Sequence, residues 1–104
     1  MKQIADNIEA TVRTNVPLIN AIESGTFEHK PTPDKWSKKE ILGHLVDSAQ
    51  NNIQRFVRSQ YHHEPKIVYD QDSWVRLSGY QTCDRSELLQ LWILLNKHVC
   101  RILQ

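Results

Sequence analysis

The side chains best able to hold a metal or attack an electrophile are five histidines and two cysteines. His44 stands out by its neighbours. Asp47 follows three residues on and Asn51 seven, a spacing that puts all three on one face of a helix. An imidazole there can ligate a divalent ion, with the carboxylate and amide orienting it or meeting a substrate. The same three residues also suit the wet side of an ordinary helix. The remaining histidines add little. His62 and His63 are adjacent, so their side chains diverge on any regular element, and they lie about five helical turns from His44. With Glu64 they read as a solvated loop that could pick up a stray metal. His29 falls in a loop and His98 stands alone on the last helix. A catalytic divalent ion takes about three protein ligands and one open position. One imidazole does not supply that, and no His-x-x-x-His pair occurs.

The other reactive types read more simply as structure. Nothing beside Cys83 or Cys100 suggests a depressed pKa, so both read as packed thiols. Two cysteines in a chain of 104 residues do not make a disulfide scaffold, which points to a reducing, cytoplasmic setting. Arg55 and Arg58 are expected to pair with acidic neighbours, and Trp36, Trp74 and Trp92 to pack. Thirteen Lys+Arg against twelve Asp+Glu give a net charge of +1 and no basic stripe, which argues against a nucleic-acid partner. No apolar run approaches the roughly 20 residues of a membrane span. The polar opening Met1-Lys2-Gln3-Ile4-Ala5-Asp6 does not read as a leader.

Three long helices must position these groups. Ile4, Ile8, Val12, Val16, Ile19 and Ile22 recur at helical spacing, with Pro17 kinking that helix or starting a new turn and Gly25 ending it. A loop over 26–35 leads to a capping box, Ser37-Lys38-Lys39-Glu40. It opens a helix over about 37–60 whose apolar face runs from Ile41 and Leu42 to Phe56 and Val57. Residues 61–80 form an unusually long connection. Pro65 and Gly79 break it, Ile67-Val68-Tyr69 is short for a strand, and 73–77 suit a helical turn. Asp84 and Glu87 open the last helix, with Leu88, Leu91, Trp92, Leu95, Val99 and Ile102 as its stripe. Ile93, Leu94 and Leu103 add apolar character outside it, so this helix is expected to be buried on more than one side. The whole, 1–104, reads as one all-α domain that stops in mid-helix at Gln104.

The stretch 36–48 resembles the DinB-like superfamily, most closely its YfiT-like branch of metal-dependent hydrolases and thiol S-transferases. The resemblance rests on Trp36-Ser37, the capped helix, and His44-Leu45-Val46-Asp47-Ser48, with Asn52, Arg55 and Phe56 downstream. Glu64-Pro65, Tyr69-Asp70 and Trp74 in the connection fit as well. The resemblance implies a helical bundle of up-down-down-up topology, here with three of the usual four long helices and a truncated C-terminus. It implies a long crossover between parallel second and third helices. It also implies a divalent metal, zinc or nickel in complete relatives, held by three histidines. His44 matches the one on the second helix. The other two belong to a fourth long helix that this sequence lacks, so the chain alone is expected to bind no metal tightly. In a complete relative the metal would activate a water or a small thiol near neutral pH.

Two functions follow as expectations. One is a truncated or degenerate relative of hydrolases or transferases that act on small molecules. The other is a non-enzymatic binding or interaction module, an uncovered apolar face making it a homodimer.

Overall fold

The computed structural model describes residues 1–63 and 66–104. Glu64 and Pro65, with the loop and family readings placed on them, lie outside the described residues. The order of elements is α1 (Lys2–Asn20), α2 (Ser24–Glu28), α3 (Lys38–Arg58), α4 (Gln71–Ser78), a 3₁₀ turn (Tyr80–Thr82) and α5 (Arg85–Leu103). Among the described residues there is no strand; Ile67-Val68-Tyr69 is irregular chain.

The three long helices form a bundle with α5 in the middle. It packs on α3 along one side and on α1 along the other, while α1 and α3 barely meet. Directions follow from which residues share a core cluster. Leu42 and Val46 of α3 meet Leu88, Leu89 and Trp92 of α5, together with Val16 and Ile19 of α1. Ile53 and Phe56 meet Val99, Cys100 and Leu103, together with Ala5 and Ile8. So α3 and α5 run parallel and α1 runs against both. The parallel pair requires the long crossover, which carries α4 and the 3₁₀ turn.

Local chemistry explains the boundaries. The capping box of α3 is formed: Ser37 Oγ accepts from Glu40 N at 3.0 Å, and Glu40 Oε1 accepts from Ser37 N at 3.1 Å. These two bonds satisfy donors that every helix start leaves over. Asp84 caps α5 through Glu87 N at 3.0 Å. Asp70 caps α4 through Ser73 N, and Gly79 ends it in the left-handed conformation (φ 69°) that glycine tolerates best.

Two expectations need correction. Gly25 does not end the first helix. That helix runs through Pro17 and stops at Asn20, and Gly25 sits inside the short α2. At that stop the Arg85 guanidinium donates to the Ile19 carbonyl, which Ile22 N also reaches, and lies 4.2 Å over the Phe27 ring. Phe27, 2% exposed, anchors α2 in the core. The stripe of α5 is also rotated from the expected one. Leu89, Cys100 and Leu103 are buried, whereas Leu91 is exposed. A helix squeezed between two others buries a wider arc than one apolar stripe. Leu103 therefore belongs to the core, but Leu94 stays 57% exposed.

Candidate functional site

The structure brings His44, Asp47 and Asn51 onto one face of α3, as their spacing requires, but that face is not the wet side of the helix. Asp47 is fully buried and Asn51 nearly so; His44 is partly buried. Trp36, just before the capping box, lies with its ring centroid 5.2 Å from that of His44, and the two planes are 32° apart. Asn51 Nδ2 donates to the Asp47 backbone carbonyl at 2.8 Å. That bond ties the Asn51 amide group back to its own helix.

Asp47 has one partner from outside the helix. Tyr80, at the start of the 3₁₀ turn, donates its hydroxyl to Asp47 Oδ1 at 2.5 Å. The tyrosine reaches that deep because residue 43 is glycine. A Cβ there would sit 2.1 Å from the Tyr80 ring. Gly43 thus gives up about 1 kcal/mol of helix propensity relative to alanine to admit an aromatic ring onto the α3 backbone. Burial pushes the Asp47 carboxyl above its ordinary range, against the pull of the Tyr80 hydroxyl and of His44. Burial and the same carboxylate push the Tyr80 phenol up as well, so the hydroxyl keeps its proton.

Two polar atoms on this face are buried without a partner: His44 Nδ1 and Asp47 Oδ2. Native interiors leave few such atoms. They belong to residues one helical turn apart, and their chemistry, a nitrogen and a carboxylate oxygen, is that of metal or proton binding.

The residues present nevertheless do not fit a divalent ion by themselves. Among the described residues no three of His, Cys, Asp and Glu converge. Asp47 has already committed one oxygen to Tyr80. His29, His62, His63 and His98 are all exposed. His62 and His63 follow the end of α3, and Glu64 beside them lies outside the described residues.

The thiols behave as packed groups. Cys83 Sγ donates to the Tyr80 carbonyl at 3.1 Å and Cys100 Sγ to the Ala5 carbonyl at 3.3 Å. Burial raises both pKa values, so neither is an activated nucleophile. Among the described residues Arg55 has no acidic partner. Its guanidinium donates to Asn52 Oδ1 and to the Ile67 carbonyl, tying the crossover to α3.

Sequence reasoning missed Tyr80 as the Asp47 partner and Trp36 as the ring beside His44. One signal was present: a glycine in mid-helix directly before the candidate ligand marks a close approach by another group.

No family model matches the chain, and no solved structure does. Over 78 residues it is 33% identical to the "Putative metal-dependent hydrolase YfiT" of Bacillus subtilis (strain 168). The match takes in 71% of this chain and 44% of that protein, so the chain corresponds to less than half of its relative's length. This similarity supports a general relationship between the all-α bundle described here and a protein of that kind.

Proposed function

We propose that this chain is a DinB/YfiT-like helical bundle related to metal-dependent hydrolases, contributing one imidazole, His44, to a metal centre completed by donors outside the described residues. The observation that carries the reading is the pair of buried, unpartnered atoms, His44 Nδ1 and Asp47 Oδ2, in a chain similar to a protein that bears the hydrolase name. Trp36 flanks the imidazole ring, and Tyr80 holds one Asp47 oxygen while the other has no hydrogen-bond partner. Small-molecule hydrolysis or thiol transfer is the activity class this reading assigns to the completed protein.

The test is zinc titration by calorimetry, with light scattering, on protein prepared without a nickel column. Weak zinc binding that is lost in His44→Ala supports the reading. Binding unaffected by that substitution overturns the role of His44. One tightly held ion per chain overturns the incompleteness of the site.

A second reading, an oligomeric binding module, is favoured by apolar side chains left in solvent on α3 and α5. Ile41 is 46% exposed, Leu91 41% and Leu94 57%. A second copy of the chain would cover them. Leu94 is exposed in the single chain, so Leu94→Asp should leave the thermal midpoint of a monomer nearly unchanged and should dissociate a dimer. A dimeric Leu94→Asp variant removes Leu94 from any interface.

A further inference from the structure

A concave feature lies on the side of α5 that faces α1. A groove of about 620 Å³ runs between these two helices. Its size falls in the ordinary range of small-molecule clefts. Val12, Val16, Pro17 and Ile93 give it an apolar lining, and three cations, Arg13, Lys97 and Arg101, line it too. Glu9 is the one acidic lining residue. None of the three cations makes an ion pair among the described residues, whose ion pairs join Lys30 to Glu40 and Lys39 to Glu28.

The groove is also graded along its length. Helices α1 and α5 are antiparallel, with Cys100 beside Ala5 and Arg85 beside Ile19. Lys97, Arg101 and Gln104 therefore lie toward the α1 N-terminus, where Glu9 also lines the groove and the two cations outweigh its single charge. Val16 and Pro17 lie toward the α1 C-terminus, and Arg13 sits between. Arg101 has a structural reason to be where it is, because a cation suits the last turn of α5. Lys97 and Arg13 have no such reason.

We infer that this groove binds a small amphiphilic anion, an aliphatic carboxylate whose head group meets Lys97 and Arg101 and whose chain lies along Val12, Val16 and Ile93. Charge complementarity selects the head, and the apolar lining selects the tail. Loss of the cationic end is expected to weaken binding by roughly tenfold or more.

The probe is decanoate, titrated by calorimetry into the chain below its micelle concentration. Decyltrimethylammonium serves as the same tail with the opposite charge, and acetate as a head without a tail. Decanoate is expected to saturate at one per chain, and the other two are expected not to saturate. Lys97→Glu combined with Arg101→Glu should raise the decanoate Kd about tenfold or more with little change in the thermal midpoint, since both side chains are exposed. Arg13→Glu should weaken binding less. Saturable binding of the cationic probe, or decanoate binding that survives the double charge reversal, overturns the inference. A wild-type dimer that the double variant splits into monomers overturns it too, because a second copy then fills the groove.

Discussion

The two ends of one short stretch of α3 are built on opposite rules. In its first turn every charged or polar side chain buried there has a partner. Ser37 closes the capping box with Glu40 and donates to Gln81 Oε1 at 2.5 Å. Lys39, only 3% exposed, pairs with Glu28 at 3.1 Å, and Lys30 pairs with Glu40 at 2.7 Å. Gln81 Nε2 returns to the Glu28 carbonyl, so α2, α3 and the 3₁₀ turn are tied at one corner. One to two turns later, His44 and Asp47 keep a buried nitrogen and a buried oxygen without partners. The first arrangement fixes a helix start. The second holds polar groups away from water at a cost to stability.

The contrast breaks most severely at Gly43. Gly43→Ala places a methyl group inside the Tyr80 ring. The ring must move, and its hydrogen bond to Asp47 goes with it. Overpacking of this kind costs about 1–3 kcal/mol, and a domain of this size loses roughly 4–8 °C of Tm per kcal/mol. Thermal unfolding followed by circular dichroism reads it directly, and an unchanged midpoint would mean that Tyr80 does not approach α3 this closely. Next in size is Tyr80→Phe, which leaves the buried Asp47 carboxylate with neither oxygen hydrogen-bonded by another side chain. The expected loss is about 1–3 kcal/mol. Adding Asp47→Asn should recover part of it, because a buried amide costs less than a buried charge. A double-mutant cycle that finds Tyr80 and Asp47 additive would separate them. At the other end, Ser37→Ala should cost about 1 kcal/mol as a lost N-cap, read by the same thermal unfolding.

Much of the scaffold was legible before any coordinates. The helix caps at Ser37 and Asp84 and the apolar periodicity place α3 and α5, because caps and periodicity are local properties of the chain. The parallel pairing of those helices was implied by the family resemblance and by the long connection. The candidate site was only half legible. Spacing alone puts His44, Asp47 and Asn51 on one face. It cannot say that the face is buried, because Tyr80, which reaches it, comes from the distant 3₁₀ turn. The arc of α5 was partly legible. Burial on more than one side was expected, but the extra face was read from Ile93, Leu94 and Leu103, and Leu89 and Cys100 were overlooked.

The smallest effect is also the one that separates the two ends of α3 most directly. Glu40 and Asp47 share a helix, yet their carboxyl pKa values move in opposite directions. Burial pushes Glu40 up, but Lys30 and the Ser37 backbone outweigh it and hold it below its ordinary value of 4.5. At Asp47 burial wins and the value rises above 3.8. The unfolded chain therefore binds Glu40's proton more tightly than the folded one, and the reverse holds at Asp47. Linkage then fixes the signs. The Glu40 contribution is fully present above pH 4.5 and is lost as pH falls through the folded value. The Asp47 carboxylate lowers stability as pH rises from 3.8 through its raised folded value. In urea unfolding between about pH 3 and pH 7, Glu40→Gln should remove a rise with pH, and Asp47→Asn should remove a fall. The Glu40 effect should be small, because Lys30 is partly exposed and solvent screens the pair. If Asp47→Asn instead loses stability at neutral pH while the slope persists, the ionised carboxylate is stabilised where it sits. His44 would then be its partner rather than a side chain left open for a ligand.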